Sequence, residues 1–242
     1  MGSQHPDQID FAGDYNLTGI VLQNHAGKGG QFGEGGVNIQ SLVQELNIYE
    51  GINQSAVFGT LVLVDSTNVI GKLPIQGTER LFFKLSTPGA SKTNHIIDAT
   101  EETGHPFYVY KISNKKQPSQ GTLTYILHFC SREFLRNIRT KVSQAYEGKL
   151  SDMVQEIIAD KQGLDSRKKL HYEETSNSDK IVIPNLPPFK ANRFNTKKSN
   201  TWLYKGCRLL FLRDNKGFLL SIMGEYVCSL WHKRKNSDTD IF

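Results

Sequence analysis

The sequence predicts an α+β chain that is mainly β: an antiparallel β-barrel, followed by a helical hairpin and a smaller mixed α/β region. Two observations predict it. Up to about Cys130, runs rich in Val, Ile, Leu, Phe, Tyr and Thr alternate with clusters of Gly, Asn, Ser and Pro, the signature of short strands joined by turns. From Ser131 the spacing of apolar residues changes from two to about 3.6, which marks helices.

Six strands are expected in the first part: Tyr15–Gln23, Val37–Glu50, Val57–Val64, Glu79–Ser86, His105–Ser113 and Thr122–Cys130. Alternation is clearest in two of them. Leu81, Phe83 and Leu85 share one face of their strand, as do Leu123, Tyr125, Leu127 and Phe129 of theirs, and these sets are assigned to the core. So many strands without a long helix between them favour a barrel or a sandwich. Asp65-Ser66-Thr67-Asn68 is suited to cap a short helical turn that Pro74 limits.

Phe134, Leu135, Ile138, Val142, Ala145 and Tyr146 fit one helical stripe, with Ser131 as N-cap and Gly148 as stop. A second helix fits Asp152–Gln162, capped by Ser151 and ended by Gly163, with Met153, Val154, Ile157 and Ile158 as its apolar face. Together they make the helical hairpin. Lys168–Thr175 and Lys180–Ile183 read as strands around a polar loop. Pro184, Asn185, Pro187, Pro188 and Phe189 read as a rigid structural corner, because proline forbids a regular ladder. Gly206–Arg213 and Gly217–Met223 read as a hairpin, and Lys233–Phe242 as a polar tail.

Composition narrows the function classes. Of 242 residues, 38% are hydrophobic and 22% charged, enough to bury a core. The longest uncharged stretch, Gly51–Val64, has 14 residues, short of the about 20 that a membrane-spanning helix needs. No membrane partner is expected, and the N-terminus lacks the cationic and apolar regions of a secretory signal. Cys130, Cys207 and Cys228 form no CxxC pair and read as free thiols in a reducing compartment. Charge is unevenly placed. Residues 1–131 hold 8 basic and 11 acidic residues, net −3, whereas residues 132–242 hold 21 and 13, net +8.

No catalytic, metal-ligating or cofactor-binding set emerges, so the chain reads as non-enzymatic. The glycine-rich loop His25–Gly36 lacks the Lys-Ser/Thr helix entry of a phosphate loop. The seven histidines are scattered. His128 and Cys130 point the same way from one strand but lack visible third and fourth ligands. Glu101-Glu102 and Glu173-Glu174 are adjacent, so on a strand each pair faces opposite sides. Lys190–Lys235 carries 11 basic residues with interleaved Phe194, Trp202, Tyr204, Phe211 and Phe218, a mixture that also suits a module binding single-stranded nucleic acid.

Several segments, taken in order, carry a resemblance. They are Leu42–Glu50, Gly59–Ser66, Leu73–Gly77, Glu79–Lys84, Phe107–Ile112, Tyr125–Ser131, Val142–Tyr146, Gly148–Asp152 and Ile183–Phe189. This ordered set resembles the central baseplate hub family of T4-type contractile-tailed phages, in particular the versions of marine T4-like phages. The resemblance implies a structural virion protein assembled in the host cytoplasm. It implies a homotrimer whose paired tube domains adapt the sixfold tail tube to the trimeric central spike. The implied partners are further copies of the chain, the tail tube protein, the central spike protein and other baseplate proteins, with no cofactor. Residues 1–14 become an N-terminal arm, 15–130 the first tube domain, 131–232 a connecting domain and 233–242 a tail.

Two departures accompany it. The family continues after Phe189 into an apolar helix, whereas Lys190–Thr201 has only Ala191 and Phe194 as apolar residues. The sequence also ends before a second tube domain is complete, which implies a shortened, divergent or split hub protein. The spike-base protein of a related contractile injection apparatus shares the hub architecture and is a second reading. Leu42, Gln44, Leu46, Ile48 and Glu50, on the long strand Val37–Glu50, are the candidate subunit-interface residues, because part of so long a strand can project beyond its own barrel; the alternative is a bent strand that serves two sides of one barrel.

Overall fold

A computed structural model describes residues 15–28, 30–51, 54–86, 96–103, 105–172, 174–175, 178–198, 209–213 and 217–222. The chain divides into two compact units. Residues up to Arg132, without Gly51–Ser55, form the first, and Gly51–Ser55 with the residues from Glu133 onward form the second.

The first unit is one antiparallel sheet curled into a half-barrel. Its strands are β1 (Asn16–Gln23), β2 (Val37–Asn38), β3 (Val43–Tyr49), β4 (Phe58–Asp65), β5 (Arg80–Ser86), β6 (Ile96–Asp98), β7 (Phe107–Ser119) and β8 (Thr122–Ser131). The order is β2-β1-β5-β7-β8-β4-β3, with β6 against the remainder of β5. The residues that alternation assigned to the core are there: Leu81, Phe83, Tyr125, Leu127 and Phe129 are buried with Ile20, Leu22, Leu61, Leu63 and Val109. Phe83 stacks on Phe107 with centroids 5.3 Å apart, and Phe129 meets both rings edge-on. Room for Phe129 is made by Gly59 on the neighbouring strand, where a Cβ would lie 2.1 Å from Phe129 Cζ.

The expected long strand Val37–Glu50 is broken, and among the described residues the ladder is not closed. β2 and β3 lie at opposite ends of the strand order, joined through Ile39 and a 3-10 turn, Gln40–Leu42. The break is written in polar side chains. Asn38 Oδ1 accepts from the Gln40 N–H (3.0 Å), while the Gln40 amide accepts from Gly19 N–H and donates to the Leu17 carbonyl. Ile39 is fully buried at the corner. Conformations of this kind compete with a ladder because the side chain supplies the hydrogen bonds.

After β4, the short helix α1 (Val69–Lys72) forms where the cap pattern predicts it, with Asn68 as N-cap. Asp65 is 1% exposed and fully engaged. Oδ1 accepts from Thr67 N–H and Oγ1, and Oδ2 accepts from Val69 N–H (2.7 Å) and from the Tyr125 hydroxyl (3.2 Å). Burial first, then the Asp65 charge, holds the Tyr125 pKa far above its usual value, so the phenol remains the donor.

The second unit holds α2 (Arg132–Arg139, whose first residue belongs to the first unit), β9 (Val142–Lys149), α3 (Leu150–Ala159), β10 (Lys169–Tyr172), β11 (Ser178–Leu186), α4 (Pro188–Lys198), β12 (Leu209–Arg213) and β13 (Gly217–Ile222). β9 pairs antiparallel with β11. β13 lies between β10 and β12, parallel to the first and antiparallel to the second. Val142, Tyr146, Leu150, Met153, Ile157, Ile181, Ile183 and Ala191 form the core.

There is no helical hairpin between 131 and 162, because β9 separates α2 from α3. Val142 and Tyr146 are four residues apart, a spacing that both a helix and a strand place on one face. Pairing of Tyr146 with Ile181 and of Val142 with Leu186 decides for the strand. Ser131 stands at the predicted N-cap position, directly before α2, but it also ends β8 and its buried hydroxyl finds no partner among the described residues. Ser151 is not a cap and lies buried in the first turn of α3 against Thr175. Gly148 falls within β9 at φ +136 rather than stopping a helix.

The proline segment is a bulged strand end rather than a break. β11 runs through Pro184 to Leu186, skipping register between Ile183 and Leu186 with Asn185 left-handed (φ 49). Pro187 accepts from Ala191 N–H, Pro188 opens α4, and buried Phe189 donates its N–H to Asn137 Oδ1 (2.8 Å). Proline fits a first helical position because its missing N–H has no partner there to lose. A helix thus follows Phe189 despite the polar sequence, with Ala191, Asn192 and Asn195 buried. The predicted hairpin is present as β12 and β13; its turn and the tail lie outside the described residues.

Two outcomes test this description. Asp65→Ala strands the Tyr125 hydroxyl and the N-terminal donors of α1, and is expected to cost about 3 kcal/mol, read from urea midpoints; an unchanged midpoint contradicts the network. On the β7–β8 pair, His128 Nε2 lies 2.7 Å from Ser113 Oγ. Burial, and then Lys111, lowers the histidine pKa. The folded state therefore disfavours the protonated ring, and stability falls as pH drops below the unfolded value of about 6.5. Thermal midpoints between pH 7 and 5 are expected to fall more for the wild type than for His128→Gln; parallel profiles contradict this.

Candidate assembly interface

A sheet that does not close leaves rows of backbone N–H and C=O groups able to pair with another strand. β3 is one such edge, since it ends the strand order and, among the described residues, pairs with β4 alone. Of the sequence-predicted interface residues, Leu42 belongs to the 3-10 turn, and Leu42, Leu46 and Ile48 pack half-buried against the unit's own core. Leu46 lies opposite Leu61 and Ile48 opposite Gly59. Gln44 is exposed at a bulge between Val43 and Glu45, and Glu50 follows the strand, exposed. What β3 offers outward is therefore main chain together with Glu45, Asn47 and Tyr49. Asn47 Nδ2 donates to Glu45 Oε1 (2.7 Å) and lies 3.3 Å from Thr60 Oγ1.

A second edge escaped sequence reasoning. β7 pairs with β5 only at Phe107 and Tyr108, and Val109 N–H reaches the Glu79 carbonyl. From Lys111 to Ser119 its far edge meets no strand among the described residues, while its near edge follows β8. Lys111, Lys115 and Lys116 are exposed along it, and no acidic residue occurs between Phe107 and Ser131. That long carboxylate-free stretch is the signal that the sequence carried for this edge.

Between the edges lies the four-stranded block β3-β4-β8-β7, antiparallel throughout. With an even number of strands, its two outer strands run in opposite senses. Copies related by a simple rotation therefore present β7 to β3 antiparallel, the pairing that a continuous sheet needs. Charge selects among the possible joints. β3 against β3 places Glu45 near Glu45, and β7 against β7 places lysine near lysine. Only β3 against β7 matches opposite signs.

The remaining candidates form no site among the described residues. The glycine-rich loop contains a bridge between Lys28 and Glu34 and a 3-10 turn at Gly30–Phe32, and leads into β2 rather than a helix. His128 is engaged with Ser113, and Cys130 is buried. Among the described residues no group of three or more His, Cys, Asp and Glu side chains is arranged to hold a metal. Most of the basic Lys190–Lys235 stretch lies outside the described residues. No described helix is long and apolar enough to cross a membrane.

No protein-family model and no curated protein matches the chain. Solved structures do. The 43 kDa tail protein of prophage MuSo2 from Shewanella oneidensis superposes with a TM-score of 0.51 at 10% identity, over 86% of this chain and 53% of that one. A tail protein from Neisseria meningitidis MC58 gives 0.50 at 10% identity, over 85% and 50%. The chain spans about half the length of these tail proteins. It has the fold of phage tail proteins.

Proposed function

We propose that the chain is a structural, non-enzymatic component of a phage tail, and within it a homotrimeric hub subunit that joins the sixfold tail tube to the trimeric central spike. The observation that carries this reading is the block β3-β4-β8-β7, whose open edges run in opposite senses and bear opposite charge. A part with two complementary, non-identical edges joins head to tail rather than as a dyad, and builds a ring when the rotation between copies closes.

The physics suits a load-bearing adaptor. Main-chain hydrogen bonds fix the register between neighbours, and apolar residues beside the edge supply the driving force. Obligate joints of this kind bury roughly 2,000–5,000 Å². The core behind each edge is well packed, since Phe83, Phe107 and Phe129 interlock and Gly59 leaves the space that the Phe129 ring fills. The shared fold with phage tail proteins and the ordered resemblance to the hub family support the same assignment. The tail tube protein and the spike protein are then the axial partners, and the virion baseplate is the location.

Native mass measurement tests it. The wild type is expected to give a species three times the 27.3 kDa chain mass, weakened by salt. Glu45→Lys alone, or Lys115→Glu with Lys116→Glu, is expected to weaken association about tenfold. A mixture of the two variants is expected to recover mixed species through the matched joint. A monomer at high micromolar concentration, or a strict dimer, contradicts the reading.

A further inference from the structure

Helix α2 is built inside out. Glu133, Arg136 and Asn137 reach toward the interior of the second unit. Glu133 is 3% exposed, accepts from Ser166 Oγ (3.0 Å) and lies 3.8 Å from Lys168 Nζ. Arg136 donates to the carbonyls of Lys161 and Gly163, and Asn137 accepts the Phe189 N–H. These contacts fix the rotation of the helix, and they turn its apolar stripe away from the interior. Phe134 and Leu135 are only half-buried, and Ile138, which the sequence pattern assigns to the core face, is 62% exposed.

We propose that this outward face of α2, centred on Ile138 and Leu135, is a docking surface for an acidic amphipathic segment of another protein. Single exposed apolar residues are common, but here the exposure is forced: burying Ile138 by rotating α2 would pull Glu133 and Arg136 from their partners. The charges choose the occupant. Glu133, the one carboxylate of the helix, is committed inward beside Lys168, whereas Arg139 and the following Lys141 are exposed next to the apolar stripe. The rim is therefore cationic. A second copy docking through the same face would set Arg139 and Lys141 against their equivalents. An apolar segment flanked by carboxylates satisfies both the stripe and the rim, as helix-binding faces do elsewhere. The inference concerns the second unit alone and is independent of ring formation through β3 and β7.

The test uses the full chain and a fluorescein-labelled synthetic peptide of about four helical turns, with leucines on one face and glutamates elsewhere. Saturable binding is expected, falling with salt and absent for the same peptide with lysines in place of glutamates. Ile138→Ser is expected to weaken binding at least about tenfold while leaving the thermal midpoint unchanged. Arg139→Glu with Lys141→Glu is expected to weaken it similarly and to admit the lysine peptide. Unsaturable binding, equal binding by Ile138→Ser, or a dimer that Ile138→Ser abolishes overturns the proposal. So does a lowered midpoint for Ile138→Ser, which would place the side chain in internal packing.

Discussion

Everything in the first unit follows from one constraint: strands consecutive in the chain occupy opposite ends of the same sheet. β2 and β3 are separated by a short corner, yet six ladder joints lie between them along the strand order. A sheet satisfies both conditions only by curling until its ends approach, beyond the twist that strands adopt by themselves. The corner is held by buried Ile39 and by the Gln40 side chain, which bonds the main chain of β1 at Leu17 and at Gly19, where the strand bulges. The connection is covalent rather than a ladder, so curvature is obtained without using the hydrogen-bonding edge of β3.

That curvature decides what the side chains do. The concave face collects Leu61, Leu63, Leu81, Leu127 and the phenylalanine cluster, and it draws Leu46 and Ile48 inward from the end strand. The interior also contains a charge, Asp65, whose four hydrogen bonds tie the end of β4 to α1 and to Tyr125 on β8. A buried carboxylate is tolerable when its acceptor sites are filled, and this one fixes the helix turn against the sheet. The lower edge of β7 lies beyond the start of β5, and this leaves it open beside β8.

Much of the fold is legible in the sequence because a period of two is hard to mistake. Leu81, Phe83 and Leu85, like Leu123, Tyr125, Leu127 and Phe129, announce their faces directly, and Met153, Val154, Ile157 and Ile158 announce that of α3. What is not legible is what pairing decides. Val142 and Tyr146 suit either geometry until β11 arrives beside them, and Val37–Glu50 reads as one strand until Asn38 and Gln40 find partners. Ile138 belongs to a sound helical stripe, but Glu133, Arg136 and Asn137 have stronger claims on the interior. The interface is half legible for the same reason. The sequence singles out the stretch around β3, but only the strand order shows it to be an edge, and the matching edge of β7 depends on how far β5 extends.

A mainly β unit whose β3 and β7 edges are open among the described residues suits assembly, and its fold is that of phage tail proteins. The central claim is that β3 of one copy joins the far end of β7 of the next. Hydrogen–deuterium exchange of the assembled and the dilute protein measures this directly, because a ladder bond slows exchange at the amide that donates it. The account predicts that protection gained on assembly is confined to amides of Val43–Tyr49 and Lys111–Ser119, with β4 and β8 already protected when dilute. Assembly that leaves both edges exchanging as before, with protection appearing elsewhere, would contradict it.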